Sequence, residues 1–169
     1  MSRWIVAIDP GNEESAYALL SPDLRPVRAN KRQNEIMYCD LIDAIVTNTK
    51  EGDLIAVAIE MIASYGMPVG AEVFDTCVWI GRLTERFTQL QFPVTYIYRK
   101  DEKMNLCHSM KANDATIKQA LVDRFARGEP NYGKGTKAHP GWFYGFRADM
   151  WAAYAVGVTY HDLFMEGDG

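Results

Sequence analysis

The 169-residue sequence predicts an α/β fold in which a mixed five-stranded sheet carries helices on both faces. Two observations predict it. Short apolar runs rich in branched and aromatic residues recur along the chain, and such runs are typical of buried strands. Segments with an apolar side chain every three or four residues lie between and after these runs, as in amphipathic helices. Because no repeat or change of composition divides the chain, we expect one domain over residues 1–169.

The first part of the chain predicts a three-stranded antiparallel unit followed by a helix. Residues 3–9 (RWIVAID) form a short apolar run that a Pro-Gly pair stops, which indicates a buried strand and a turn. Residues 15–20 and 26–33 predict two further strands, each bounded by turn residues. We expect these first three strands to pair in antiparallel fashion. A helix is predicted over residues 34–49, with Asn34 as its cap.

The next part predicts two more strands placed among helices. Residues 53–60 (DLIAVAIE) form a buried strand that ends on a carboxylate. A loop rich in Gly and Pro follows over residues 62–70, and then a long helix to about residue 90. Residues 93–98 predict the last strand, and residues 113–128 the next helix.

A long loop and a final helix complete the predicted order. Residues 128–145 contain five glycines and two prolines, so we expect a flexible loop, and loops of this length are usually functional or disordered. The final helix is predicted over residues 147–164. Four aromatic side chains precede it, and we interpret them as its hydrophobic anchor, with stacking on unpaired bases as the alternative. They are Trp142, Phe143, Tyr144 and Phe146.

Charge is distributed unevenly along a chain whose net charge is −4. Residues 99–147 contain ten Lys and Arg against five Asp and Glu, whereas the remainder has an excess of nine acidic residues. A nuclease needs such a division, because carboxylates hold the metal while a separate positive surface holds the phosphates. Solvated helix faces would give the same pattern.

Several classes of protein and site are excluded by the composition. The apolar runs are too short to span a bilayer, and the N-terminus lacks the pattern of a signal peptide, so we expect a cytoplasmic protein. Cys39, Cys77 and Cys107 are widely spaced, which favours buried free thiols over disulfides or zinc ligands. Residues 128–134 fit the start of a P-loop, but Gly135 stands where Ser or Thr is needed, so no nucleotide cofactor is expected.

Three carboxylates stand out by their positions. Asp9 ends the first predicted strand, Glu60 ends the fourth, and Asp149 lies in the first turn of the last helix. Carboxylates at the ends of neighbouring strands can converge, and oxygen donors without His or Cys suit Mg²⁺ or Mn²⁺. Such a cluster can hold two ions about 4 Å apart for phosphoryl displacement. Taken singly, the three residues are better explained without chemistry, Asp9 as a turn residue, Glu60 as a strand end and Asp149 as a helix start.

The order of these segments resembles a known family. The runs IVAIDPG (5–11), IAVAIE (55–60) and RADMWAAYAVGVT (147–159) are similar to the three signature segments of RuvC-type Holliday junction resolvases. The stretches 61–74 and 99–107 resemble the bacteriophage branch of that family. This resemblance implies an RNase H-like fold, a homodimer, Mg²⁺ dependence and paired nicks across a four-way DNA junction during recombination or repair. It also implies that Asp9, Glu60 and Asp149 are the catalytic metal ligands.

One position departs from the family pattern. RuvC-type resolvases typically carry a second Asp three residues after the first on the last helix, where this chain has Ala152. Asp162 lies too far along the helix to replace it, about 20 Å from Asp149. We therefore expect three assigned carboxylates and weaker binding of a second ion.

Basic residues supply the candidate DNA contacts. The resemblance places catalytic or DNA-contacting basic residues in the region that contains Lys111 and Lys118, although exposed helix lysines would look the same. Lys134 and Lys137 in the long loop, and Arg147 before the last helix, are further candidates for contacts with phosphate. The helix 71–90 carries an apolar stripe that core packing explains, and the resemblance places the subunit-pairing region there.

Two other functions remain open at this point. A ribonuclease of the same fold would share the carboxylates but act on RNA–DNA hybrids, with contacts to 2′-hydroxyls. A DNA-binding domain that has lost catalysis would be consistent with Ala152.

Overall fold

The computed structural model describes residues 2–165. One five-stranded sheet is present, and its strands lie in the order β3-β2-β1-β4-β5. The strands are β1 (Arg3–Asp9), β2 (Glu14–Leu20), β3 (Pro26–Gln33), β4 (Leu54–Met61) and β5 (Val94–Tyr98). The helices are α1 (Asn34–Asn48), α2 (Ala71–Gln89), α3 (Arg99–Cys107), α4 (Asp114–Phe125) and α5 (Met150–Tyr160), and a π-helical turn (His161–Met165) follows α5.

The sheet is mixed, as predicted. β1 pairs with β2, and β2 with β3, in antiparallel fashion, whereas β1–β4 and β4–β5 are parallel pairs. Both parallel connections pass through a helix, as parallel strands require. The structure thus confirms the predicted five strands, the antiparallel first three and the α/β class.

Helices cover both faces of this sheet, and each face has its own core. Alternate residues of a strand point to opposite faces, so Ile5 and Ala7 of β1 pack with α4, α5 and the long loop, while Val6 and Ile8 pack with α1 and α2. All four side chains are buried, which explains why β1 has a continuous apolar sequence and no alternation.

Close packing of α5 on the sheet depends on one glycine. A Cβ at Gly157 would come within 2.9 Å of the Ala7 Cβ and 3.0 Å of Leu20 Cδ2. Contacts below 3.0 Å force a neighbour to move, so only glycine lets the helix approach β1 and β2 this closely. This approach fixes the start of α5 over the carboxyl end of β1.

Several local predictions need correction. Asn34 is the buried first residue of α1 rather than its cap, and the Gln33 side chain accepts from the Ile36 N–H instead. α3 was not predicted at all. The last helix begins at Met150, so Asp149 lies just before it rather than in its first turn. The cysteines are free as expected, but Cys39 is exposed and the other two are half-buried.

The loop between α4 and α5 is attached to the core by its aromatic residues. Phe143 and Phe146 are buried against α5, and the half-buried Trp142 donates to the Tyr154 hydroxyl at 3.1 Å, so these three anchor the helix as interpreted. Tyr144 is exposed. Backbone hydrogen bonds such as Phe143 N–H to the Gly133 carbonyl (2.9 Å) hold the loop together, and its flexibility stays a prediction.

Membrane-spanning character is absent from the described residues, since none of their helices combines the length and the apolarity that a bilayer crossing needs.

Candidate functional site

Asp9 and Glu60 lie side by side at the same end of the sheet. Ile8 of β1 is paired with Ile59 of the parallel strand β4, so the two carboxylates are the next residues along neighbouring strands. Both project to the face covered by α5, since Ala7 and Ala58, two positions earlier in each strand, belong to that core. Their carboxyl groups are within hydrogen-bond reach of each other. The sequence prediction of convergence is thereby confirmed for this pair.

The turn that follows Asp9 is fixed by a buried hydroxyl. Ser15 Oγ accepts from the Gly11 N–H and from Trp79 Nε1, both at 3.1 Å, and donates to Asn34 Oδ1 at 2.7 Å. A Cβ at Gly11 would meet the Glu14 carbonyl oxygen at 2.2 Å, so the turn requires glycine. These contacts hold the strand end, and with it the Asp9 carboxylate, in place.

Asp149 reaches the same region from the opposite side. It directly precedes α5, is exposed, and accepts a hydrogen bond from Lys31 Nζ at 2.6 Å. The partner lysine belongs to the same row of the sheet, because Asp9 is paired with Ala16 and Ala16 with Lys31. The Asp149 charge acts on Asp9, which shows that the third predicted carboxylate adjoins the other two.

A cavity of about 310 Å³ joins the three predicted residues. Asp9, Glu60, Asp114, Asp149 and Ala152 line it, and we call it the acidic cavity. Arg99, the first residue of α3, also lines the cavity and adds one positive charge to its lining. The acidic cavity is therefore the place where the sequence motifs of β1, β4 and α5 meet.

Crowding of carboxylates alters the protonation of Asp9. Burial first, then the neighbouring charges of Glu60 and Asp149, raise the pKa of Asp9 from 3.8 to about 8. A carboxyl group in this environment favours either a proton or a cation beside it. The environment thus favours a positively charged ligand.

The sequence analysis missed two further carboxyl groups, Asp114, which lines the acidic cavity, and Glu102, which lies behind Glu60 and does not line it. Glu102 lies in the first turn of α3, is completely buried, and contacts the carboxyl group of Glu60. Burial and the proximity of Glu60 raise the pKa of Glu102 to about 11. Arg99 Nη1 donates to its Oε1 at 3.4 Å. Within residues 2–165, the buried Glu102 Oε2 and Glu60 Oε1 have no donor.

Ala152 occupies the position where the resemblance leads us to expect a second helix carboxylate. Ala152 lines the acidic cavity, but its methyl group offers no ligand. Asp162 is directed elsewhere, since it accepts from Arg124 at 2.7 and 2.9 Å and from Asn105 at 2.8 Å. It plays a structural role away from the cavity.

A second cavity, of about 430 Å³, adjoins the first and shares Arg99, Asp114, Asp149 and Ala152 with it. Three of the predicted DNA-contacting residues line this basic cavity, together with the indole of Trp151. They are Lys118, Lys134 and Arg147. The Lys118 ammonium lies 4.3 Å from the ring centre of Tyr132 and 4.9 Å from that of Trp151, and these contacts orient it.

The remaining two basic candidates lie apart from this cavity. Lys111 is exposed in the turn between α3 and α4, where its backbone N–H donates to Ser109 Oγ at 3.1 Å. Lys137 is exposed in the long loop. Neither side chain lines the acidic or the basic cavity.

The donor set fits a hard divalent cation, although the ligands are not assembled around one point. Within residues 2–165, no three carboxylate, imidazole or thiol groups are close enough to surround an ion as they stand, and Asp149 is held by Lys31. Glu60 and Glu102 each have one buried oxygen without a protein donor, and a proton or a cation can neutralise these oxygens. Carboxylate oxygens are the ligands of Mg²⁺ and Mn²⁺, so the residues fit such an ion.

An apolar cavity of about 340 Å³ lies at the opposite end of the sheet, between Trp4, Leu90 and Tyr160. Its carboxylate, Asp53, already accepts from Trp4 Nε1 at 3.2 Å and from the Lys50 N–H at 3.0 Å. None of the predicted catalytic residues lines this apolar cavity.

Comparison with solved structures identifies the fold. No protein-family model and no curated protein matches the chain. Thermus thermophilus RuvC in complex with a Holliday junction substrate is 13% identical, covers 98% of this chain and 96% of its own, and has a TM-score of 0.68. A second Thermus thermophilus RuvC structure is 15% identical, with 97% and 96% coverage and a TM-score of 0.67. Over nearly its whole length, the chain therefore has the RNase H-like fold of RuvC.

Proposed function

We propose that this chain is a divalent-cation-dependent endonuclease that resolves Holliday junctions or other branched DNA by paired hydrolytic nicks. The observation that carries the proposal is the acidic cavity. Asp9 and Glu60 meet there at the ends of two parallel strands, with Asp149 beside them and buried oxygens that lack donors. The RuvC-like fold supports the choice of substrate, since the similar structure of Thermus thermophilus RuvC holds a Holliday junction.

In this proposal the acidic cavity binds the metal ions and the basic cavity binds the DNA phosphates. Asp9, Glu60 and Asp149 would hold Mg²⁺, which Mn²⁺ can replace, and we propose two ions per site. When bound, such ions lower the pKa of a water and neutralise the charge that develops on the phosphate. Lys118, Lys134 and Arg147 of the basic cavity bind the phosphates that flank the scissile bond. No base-reading residue is needed, because backbone charge and junction shape position the substrate.

Pairing of two subunits would provide the second nick. A two-fold homodimer presents two copies of the acidic cavity to symmetry-related strands of a junction. The outer side of α2 supports this proposal, because Phe74 and Val78 are one helical turn apart and are 63% and 64% exposed. The sequence analysis attributed the apolar stripe of helix 71–90 to core packing. Ile80 is indeed buried in the core, but Phe74 is exposed. Origin in a bacteriophage and action in the host cytoplasm belong to the same proposal.

Cleavage of three labelled substrates tests the function. Purified protein is incubated with a four-way junction, an RNA–DNA hybrid and a linear duplex, each in Mg²⁺ and in EDTA. We expect paired nicks in the junction that disappear in EDTA and in Asp9→Asn. The duplex is the control for non-specific nuclease activity.

Two other results would contradict the proposal. Cleavage of the hybrid alone would identify a ribonuclease of the same fold. Tight binding of the junction without cleavage in Mg²⁺ or Mn²⁺ would identify a DNA-binding domain without catalysis, for which Ala152 would be the first explanation.

A further inference from the structure

We propose that Lys31 is an exchangeable partner of Asp149. Its ammonium holds this carboxylate until a divalent cation takes it, and the ammonium then turns to Glu14. The proposal rests on the proposed function, because it concerns how Asp149 joins Asp9 and Glu60, the three carboxylates that we call the acidic centre. It makes Lys31, a residue outside the three motifs, a positioning residue that acts through Asp149.

Lys31 lies between two carboxylates at the edge of the sheet. Its Nζ donates to Asp149 Oδ2 at 2.6 Å and is 3.9 Å from Glu14 Oε2. Lys31 and Glu14 project to the same face, because Ala16 is paired with Lys31 and lies two positions along β2 from Glu14. A lysine side chain is flexible, so the ammonium can change its acceptor while the backbone stays in place.

The Asp149 side chain does not serve to start α5. A carboxylate at this position commonly accepts from the first turn of the helix, but within the described residues the Asp149 side chain makes no such hydrogen bond. Its backbone carbonyl accepts from the Ala153 N–H at 2.9 Å, and Arg147 Nη2 donates to Asn30 Oδ1 at 3.3 Å. These two contacts fix the segment before α5. Lys31 therefore determines the direction of the carboxylate and not the position of the helix.

The carboxylate that Lys31 holds is the member of the acidic centre that stands apart. Asp9 and Glu60 follow paired residues of neighbouring strands and are within hydrogen-bond reach of each other. Among residues 2–165, no three acidic, histidine or cysteine side chains are close enough to surround an ion as they stand. Asp149 completes the set when its carboxylate turns toward this pair. That movement breaks the hydrogen bond with Lys31, so the cation and the ammonium compete for Asp149.

Partial exposure of the ion pair makes the exchange possible. The side chains of Lys31 and Asp149 are 26% and 52% exposed, and an ion pair so accessible to water is weak. A divalent cation has twice the charge of an ammonium and prefers carboxylate oxygens as ligands. Once bound, it repels the ammonium, which has Glu14 as its other acceptor. Lys31 therefore lowers the affinity for the cation without preventing its binding.

Calorimetric titration with MnCl₂ tests the exchange. Lys31→Met keeps the length of the side chain and removes its charge. We expect the Mn²⁺ affinity to rise about two- to five-fold, which corresponds to the strength of an exposed ion pair. The matched control is Arg32→Met, which removes a positive charge from the next residue of β3, exposed on the opposite face. Its Mn²⁺ affinity should stay near the wild-type value.

Glu14→Gln supplies a second readout, of the opposite sign. It removes the acceptor to which Lys31 turns, so we expect the Mn²⁺ affinity to fall about two- to five-fold. In the Lys31→Met background the same substitution should have little effect, because no ammonium remains. The difference between the two effects measures the coupling of the two residues, which a merely structural role of Lys31 would not produce.

Melting in EDTA shows whether the variants fold. Lys31→Met should melt near the wild-type temperature, because the pair that it removes is exposed. If Lys31→Met melts well below wild type, Glu14→Gln alone decides. A lower Mn²⁺ affinity in that variant supports the exchange, and an unchanged affinity overturns it.

The failures of the two proposals are distinguishable. An unchanged or lower Mn²⁺ affinity in folded Lys31→Met, an equal rise in Arg32→Met, or equal effects of Glu14→Gln in both backgrounds would overturn the role of Lys31 alone. Absence of Mn²⁺ and Mg²⁺ binding by the wild-type protein would overturn the proposed nuclease function, and the role of Lys31 with it.

Discussion

Two groups of buried carboxylates in this fold differ in how they are neutralised. Asp162, after α5, accepts two hydrogen bonds from Arg124 and one from Asn105. Glu60 and Glu102, at the ends of β4 and β5, keep one buried oxygen each without a donor among residues 2–165. Asp162 is half-buried and Glu102 is fully buried, so the carboxyl groups at the strand ends have both fewer protein donors and less access to solvent.

The same contrast is visible in the pKa values. Burial raises the pKa of Asp162, but hydrogen bonds from Arg124, Asn105 and His161 outweigh it and leave this pKa below its ordinary value. At Asp9, burial and the neighbouring charge of Glu60 act in the same direction and raise the pKa to about 8. Protein donors therefore outweigh burial at Asp162, whereas at Asp9 they do not. We infer that the partner of the acidic centre comes from solution.

Loss of Asp9 should have the largest effect on activity. Asp9→Asn removes a proposed ion ligand while keeping the side chain's shape, so we expect junction nicking in Mg²⁺ to fall by more than about 100-fold, beyond the loss typical of supporting residues. Initial rates on a labelled four-way junction measure it.

Asp40→Asn is the matched control for this prediction. Asp40 lies on the other face of the sheet, where it accepts from Tyr17, Arg28 and Asn30. The rate per folded molecule should stay at the wild-type value. Equal losses in the two variants would remove the distinction between the two kinds of carboxylate.

Stability should respond in the opposite way. Asp162→Ala removes the carboxylate that accepts hydrogen bonds from Arg124 and Asn105, and we expect the free energy of unfolding to fall by about 1–3 kcal/mol. Asp9→Asn relieves crowding and should leave it unchanged or higher. Urea denaturation in EDTA compares them. A larger loss of stability in Asp9→Asn than in Asp162→Ala would show that Asp9 is a structural residue.

Stability without metal should depend on pH through Asp9. Its pKa is higher in the folded state, about 8 against 3.8, so the folded protein binds this proton more tightly. The resulting stabilisation is complete below the unfolded value and is lost as pH rises toward 8, by at most about 1.4 kcal/mol per pH unit. Unfolding in EDTA at several pH values should therefore show a decline that Asp9→Asn reduces. An identical decline in both proteins would assign it to other groups.

The basic cavity should show the smallest effect. Arg147→Ala removes one proposed phosphate contact, so junction affinity should fall a few-fold and the salt dependence should weaken by about one counterion. Lys137→Ala, outside the cavity, is the control. Fluorescence anisotropy over a range of salt concentrations measures both, and equal effects would mean that binding follows net charge rather than this cavity.

Much of the fold could be predicted because its central strands are buried on both faces. Continuous apolar runs such as residues 3–9 and 53–60 stand out from any surface segment, and their ends located Asp9 and Glu60. Asp149 followed from its place at the start of an apolar helix. Pairing of β1 with β4, which brings these strand ends together, depends on long-range contacts that local patterns do not contain.

Residues missed by the sequence analysis belong to polar segments. The sequence of α3 (RKDEKMNLC) is mostly polar and lacks the apolar periodicity of a helix, so it could not be distinguished from a loop. In the structure, Glu102 is the one fully buried residue among its nine. Lys31 lies on β3 at the edge of the sheet, and its link to Asp149 spans 118 residues. The sequence alone does not show whether a charged residue will be buried or exposed in the fold.

Binding of Mn²⁺ to the metal-free protein, followed by isothermal titration calorimetry, tests the central claim most directly. The claim is that the protein satisfies the carboxyl oxygens around Asp9 only in part because a divalent cation is their further partner. We predict saturable binding by wild type and by Asp40→Asn, and binding weakened by at least about ten-fold in Asp9→Asn. No binding by wild type, or equal binding by all three proteins, would contradict the claim.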